Sequence, residues 1–169
     1  QGMDADKIWQ DLNLKQAWQK GSHVDLFGND LEDLSSPEND TRYALIKELV
    51  VKFEEATTFG SLISMDNQEQ DFVDLQNTIE NLVAEGDTLQ KAAAKKLLPL
   101  VIQAKILAKK YDAAIANPPY MGQGYFNASL KYFASTVFKE WSGDLFTCFI
   151  KRMINFSKKN GNLSPITIG

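Results

Sequence analysis

The tetrapeptide Asn117-Pro118-Pro119-Tyr120 constrains this chain more than any other feature, because it closes the short apolar run Tyr111-Asp112-Ala113-Ala114-Ile115-Ala116. Two successive prolines remove two backbone donors and fix two φ angles at about −65°, so no strand ladder continues through them. The run therefore reads as a buried central strand that stops at Asn117. A residue before proline is pushed to extended or turn geometry, which pins Asn117 as well. Chemistry in open α/β sheets collects at the carboxyl ends of strands, and this loop is the first candidate for a site.

Its groups suit the gripping of a planar amine. The Asn117 side chain offers a carbonyl acceptor, and the Pro118 carbonyl offers a second that no N–H of Pro119 engages. Two acceptors can take the two hydrogens of an exocyclic NH2. An aromatic amine is a weak nucleophile because its lone pair is spread into the ring, and engaging both hydrogens favours a more localised, pyramidal nitrogen. Tyr120 can lie against such a ring, a contact worth about 1–3 kcal/mol per base.

With these residues in hand, the chain resembles the N6-adenine DNA methyltransferases, whose loop is Asn/Asp/Ser-Pro-Pro-Tyr/Phe/Trp, and within them the bacteriophage-exclusion (BREX/Pgl) type. The likeness rests on residues 103–112 ahead of the loop and on Met121-Gly122 directly after it. It extends to residues 142–150 (SGDLFTCFI), to Asn160-Gly161-Asn162-Leu163 and to Phe59-Gly60-Ser61-Leu62-Ile63, about the last two thirds of the chain. The resemblance implies that Asn117 and the Pro118 carbonyl hold the N6 amine of a flipped-out adenine, that Tyr120 stacks on it, and that Pro119 stiffens the loop. It also implies S-adenosylmethionine as methyl donor, attacked directly, and DNA as the partner of the whole enzyme.

The fold so implied is α/β, a partial Rossmann-like methyltransferase fold of strand, NPPY loop, helix and strand, preceded by a helix-rich segment. Residues 3–110 are the expected helix-rich segment and 111–169 the catalytic-loop βαβ part. Gln1-Gly2 ahead of Met3 reads as a tag remnant. The family's donor-binding pattern, Asp/Phe-x-x-x-Gly-x-Gly upstream of the loop, has no match: Phe27-Gly28-Asn29-Asp30 and Phe59-Gly60-Ser61 carry one glycine each. Gly122-Gln123-Gly124 follows the loop and reads as a chain turn. The cofactor-binding residues are therefore unknown, and the chain is expected to be a fragment, inactive alone, whose donor site comes from a partner.

Composition bounds these readings. With 169 residues, 44% hydrophobic and 11% aromatic, the chain can bury an ordinary core. Its net charge of −4 is not that of an autonomous nucleic-acid binder. Lys91, Lys95, Lys96, Lys105, Lys109 and Lys110 form a local basic stretch that reads first as a solvated helix face and second as a phosphate contact. The single Cys148, inside an apolar periodic run, excludes a disulfide framework, suits a reducing cytoplasm and reads as a small buried hydrophobe. His23 is the only histidine, and no metal site, membrane span or signal peptide is expected.

Periodicity predicts helices from Met3 to about Lys20 (Ile8, Trp9, Leu12, Trp18) and, after a 21–37 loop, from the Ser36-Pro37 start to Thr57 (Leu45, Ile46, Leu49, Val50, Phe53). A third carries Phe72, Leu75, Ile79 and Leu82 to Gly86. Asp87 and Gln90 form a capping pair that opens a fourth, with a kink or break expected at Pro99. Beyond the loop, Tyr125, Phe126, Tyr132, Phe133, Phe138 and Trp141 are rings expected mostly to pack. Asp144 is expected to cap an amphipathic helix through Ile154. Asn160–Asn162 reads as a turn and Leu163–Ile168 as the next parallel strand of a βαβ crossover.

Three functions fit. The first is the catalytic-loop part of an adenine-N6 DNA methyltransferase of a restriction-modification or phage-defence system. The second is a non-catalytic remnant that pairs an open strand edge, as an oligomerisation or interaction module. The third keeps the chemistry on RNA or protein glutamine, where the same loop also occurs.

Overall fold

The computed structural model describes residues 2–14 and 40–166. Trp18, the Gly21-Ser22 helix end, His23, Phe27-Gly28, the Ser36-Pro37 helix start and the last residues of the expected strand, Thr167 to Gly169, lie outside the described residues. Two compact units divide the chain, one of Gln1–Glu54 with Asn67–Ile106 and one of Glu55–Asp66 with Leu107–Gly169.

The described residues of the first unit are mainly helical. In α1 (Ala5–Leu12) the Asp4 carboxylate accepts from the amides of Asp6 and Lys7 at 2.9 and 3.2 Å. Ile8, Trp9 and Leu12 are its buried face. The helix ends at Leu12 and not near Lys20, because Asn13 turns left-handed at φ 47° and its amide closes back on Trp9 and Gln10. Asparagine is one of the few residues with a Cβ that visits this region readily.

α2 (Thr41–Phe53) starts on Asp40, whose carboxylate caps Arg42 N at 2.9 Å and pairs with the Arg42 guanidinium at 2.6 Å. It buries Leu45, Ile46 and Leu49 and stops four residues short of the expected Thr57. α4 (Glu69–Glu85) follows two short elements of the second unit, α3 (Ala56–Phe59) and a 3-10 turn (Gly60–Leu62). Phe72, Leu75 and Ile79 are its buried stripe.

α5 (Thr88–Ala108) opens on the expected reciprocal cap: Asp87 Oδ1 accepts from Leu89 and Gln90 amides, and Gln90 Oε1 accepts from the Asp87 amide at 2.9 Å. Gln90 also donates to the Leu12 carbonyl at 3.1 Å, which satisfies an orphan acceptor of α1. Of the kink or break expected at Pro99, the break does not occur: the helix runs through it. Pro99 and Lys95, whose carbonyl loses its intrahelical donor, are both exposed, so water can serve that carbonyl. On the other face Ala94, Leu97, Val101 and Ala104 are fully buried. At about 1.5–3 kcal/mol for a large side chain, that burial outweighs one missing bond.

The second unit holds the sheet. β1 (Tyr111–Ala116) pairs in parallel with β2 (Ser157–Pro165), with Ala113 opposite Asn162 and Ala116 opposite Pro165. Between them come a 3-10 turn (Gln123–Tyr125), α6 (Ala128–Val137), a second 3-10 turn (Lys139–Trp141) and α7 (Leu145–Phe156). This is an α/β arrangement, and the strand–loop–helix–strand order matches expectation. The strand after α7 starts six residues earlier than its apolar stretch, and Asn160-Gly161-Asn162 lies within it. There the turn-forming residues make an irregularity in the pairing, opposite Tyr111 to Ala113. Gly161 fits because a Cβ would stand 3.0 Å from the Tyr111 carbonyl oxygen and 3.2 Å from that of Asp112.

β1 is not the fully buried strand its composition suggests. Ile115 is 76% exposed on a described sheet of two strands, whereas parallel sheets are ordinarily covered by helices on both faces. The unit's core lies instead among its helices, where Leu62, Leu130, Ala134, Phe138, Leu145 and Cys148 cluster. Phe59 stacks on Phe133 at 4.1 Å between ring centroids, and Phe133 meets Phe138 edge-on. Arg152 is 4% exposed and donates to the carbonyls of Ser61, Ile63 and Leu107 at 3.0, 2.5 and 3.1 Å. Its guanidinium also lies 3.8 Å from the Phe156 ring centroid.

Candidate active-site loop

Residues 117–120 leave β1 without regular structure, as two prolines require. Pro118 is buried, while Asn117, Pro119 and Tyr120 are exposed. The loop is held from the Tyr120 end. The Tyr120 hydroxyl donates to the Ile166 carbonyl at 2.8 Å, just past β2, and its ring stacks on Phe146 in the first turn of α7, at 5.0 Å between centroids and 14° between planes. The backbone beyond is clamped as well. Leu145 N donates to the Met121 carbonyl at 2.8 Å, Gln123 N donates to the Gly143 carbonyl at 3.0 Å, and Gly122 pairs with Asp144 in an antiparallel bridge.

Asp144 serves two elements at once. Its Oδ1 accepts from the Phe146 amide at 2.8 Å, the cap expected from sequence, while its backbone bridges to Gly122. No hydrogen bond among the described residues engages the Asn117 carboxamide or the Pro118 carbonyl. Two acceptors thus stand uncommitted beside a ring fixed at both its edge and one face.

Gly122-Gln123-Gly124 was expected to turn the chain, and it does so through the 3-10 turn Gln123–Tyr125, with Gly122 extended at φ −66°. Gly60, at φ 52°, is the only glycine with positive φ among the described residues. No glycine-rich cradle for a nucleotide-like donor is formed among them. Of the six rings singled out in the sequence, Phe138 is buried and Phe126, Phe133 and Trp141 pack against the core cluster. Tyr125 and Tyr132 are 85% and 74% exposed.

Cys148 is fully buried, and its thiol donates to the Trp141 carbonyl at 3.3 Å. Burial first, and the Asp144 charge second, push its pKa up, so it stays a thiol and no nucleophile. Of the basic stretch, Lys105 donates to Gln76 at 2.6 Å and Lys110 to the Asn155 carbonyl at 2.5 Å, while Lys95 and Lys96 are exposed. Three ties of the loop were not drawn from the sequence: Phe146 under Tyr120, the Ile166 carbonyl, and the pairing of residues 121–123 with 143–145. Each joins segments more than 19 residues apart.

A family profile described as Eco57I restriction-modification methylase matches residues 13–169. The chain is 38% identical over 162 residues to a protein named adenine-specific methyltransferase BrxX, from Escherichia coli O9:H4 (strain HS), covering 94% of this chain and 13% of that protein. It is 26% identical over 130 residues to adenine-specific methyltransferase PglX from Lacticaseibacillus casei (strain Zhang), covering 72% of this chain and 10% of that one. The chain therefore spans about an eighth or less of the length of these relatives.

Proposed function

For this chain, a member of the Eco57I restriction-modification methylase family, we propose that residues 111–169 supply the amine-gripping loop of an adenine-N6 DNA methyltransferase in restriction-modification or phage defence. The observation that carries the reading is the loop itself: two unengaged acceptors, Asn117 Oδ1 and the Pro118 carbonyl, next to a Tyr120 ring held by its hydroxyl and one face. The acceptors take the two N6 hydrogens of an adenine turned out of its stack and localise the nitrogen lone pair. Tyr120 receives the ring on the face opposite Phe146. Pro119 stiffens the loop that carries the Pro118 carbonyl.

S-adenosylmethionine, the usual donor of methyltransferases, would supply the electrophilic methyl group. The residues that would bind it are proposed to lie outside residues 111–169. The sheet is proposed to be part of a larger Rossmann-like one. In this reading the chain holds the amine, and turnover requires a donor site from elsewhere.

Titration calorimetry with S-adenosylmethionine, beside a methyl-transfer assay on DNA of mixed sequence, tests this. The expected results are no donor binding and no turnover by the chain alone, with methyl transfer on addition of a donor-binding partner and its loss, by roughly 100-fold or more, in Asn117→Ala. Methyl transfer undiminished in Asn117→Ala would overturn the assignment.

A second reading is favoured by one observation, the exposure of Ile115 and Leu163 at 76% and 41% on a two-stranded parallel sheet, with Ile166 just past it at 55%. Such a sheet suits an interaction module that pairs with a further strand. A chain that runs as a monomer at all concentrations on a sizing column would remove self-association from that reading.

A further inference from the structure

We infer that Phe146 is a positioning residue for the amine-gripping loop, a platform that fixes the orientation of the Tyr120 ring against which the substrate base is proposed to stack. The inference rests on the function proposed above and adds to it a residue outside the NPPY loop. α7 divides its side chains by face. Leu145 and Cys148 lie in the core cluster with Phe149 packed against it, and Arg152 turns to the three carbonyls it binds. Phe146 does neither: it is half-buried, is absent from that cluster, and stacks on Tyr120.

The backbone shows the same bias. Gly143, Asp144 and Leu145 each hold one of residues 121–123 through a hydrogen bond or bridge, so the start of α7 and the segment after Tyr120 form one clamped piece. Tyr120 remains 45% exposed, although its hydroxyl and one face are engaged. A ring fixed in this way loses little freedom when a base stacks on it, and that raises affinity without a new contact. An aromatic platform does this better than an aliphatic one, because offset parallel rings hold a preferred orientation.

The test titrates adenosine and N6,N6-dimethyladenosine, which lacks the amine hydrogens, against the full 169-residue chain, following the Tyr120 ring resonances by NMR. Phe146→Leu keeps an apolar side chain of similar bulk and removes the ring, and Phe146→Tyr keeps the ring. Phe146→Leu is expected to weaken both nucleosides alike by about five- to tenfold, the range an aromatic pair accounts for, at an unchanged melting temperature. Phe146→Tyr is expected to restore binding. Asn117→Ala is expected to weaken adenosine alone.

Phe146→Leu binding both nucleosides as tightly as the unaltered chain would overturn the platform and leave the amine grip standing. A fall in melting temperature that accounts for the whole loss of binding would reduce Phe146 to a structural residue and overturn it equally. No adenosine binding by the unaltered chain would overturn the amine-grip reading, and this inference with it.

Discussion

In the helical unit the helix starts are set by side chains next to them in sequence, whereas in the sheet-bearing unit the ties that hold the loop join residues far apart in the chain. α1, α2 and α5 start on Asp4, Asp40 and Asp87, each one residue before the helix it caps. Their buried faces repeat at three and four residues. In the second unit the corresponding ties are long-range: Arg152 to Ser61 and Ile63, Tyr120 to Ile166, Phe146 to Tyr120. Local periodicity is therefore a good guide to the first unit and a poor one to the place where chemistry is proposed.

The largest expected effect tests the local side of this contrast. Phe72 is fully buried in α4, and Phe72→Ala is expected to cost about 3–5 kcal/mol in urea unfolding. A cost under about 1 kcal/mol would mean that the stripe is not the core it looks like.

Arg152→Met tests the long-range side. It removes the donor from three backbone carbonyls at once. Burial opposes the guanidinium charge and lowers its pKa to about 10, so part of the loss is returned by no longer burying a cation. The expected net cost is about 2–4 kcal/mol, with amide exchange rising first around Ile63 and β1. Exchange that rises first in α2 or α4 would show that the tie is not confined to the sheet-bearing unit.

The smallest effect sharpens the role of caps. Burial alone would raise the Asp40 carboxyl, but the Arg42 side-chain and backbone hydrogen bonds and its charge outweigh that and hold it below the ordinary 3.8. A folded-state pKa below the unfolded one contributes stability that is present above pH 3.8 and is lost as pH falls through the lowered value. Asp40→Asn keeps the cap without the titration. It is expected to be less stable than the parent near neutral pH by no more than about 1 kcal/mol, with the gap closing in acid. A gap that stays constant with pH would assign the difference to packing.

The site was legible from the sequence in its parts and not in its setting. Asn117, Pro118, Pro119 and Tyr120 lie where the end of the apolar run puts them, because proline enforces a stop through covalent geometry alone. The Asp144 cap was legible for the same kind of reason, a side chain reaching its own next turn. The open face of β1 was not, since Ala113 and Ile115 are apolar whether or not anything covers them. The continuity of α5 through Pro99 was not either, because the outcome turned on which face of the helix meets water.

The sequence by itself determined that Asp87 and Asp144 open helices, where β1 must end, and which four residues carry a carboxamide, two prolines and a phenol in fixed order. Those outcomes come from bonds and hydrogen bonds spanning a few residues, which the rest of the chain can do little to change. Only the tertiary structure decided that Tyr120 is anchored at Ile166 and backed by Phe146, that Arg152 binds three distant carbonyls, and that Gly161 sits against the Tyr111 carbonyl. Such contacts form only once the chain has closed loops of tens of residues, and many pairings of similar local energy compete for them. Packing and register choose among these, and neither is written in any one segment.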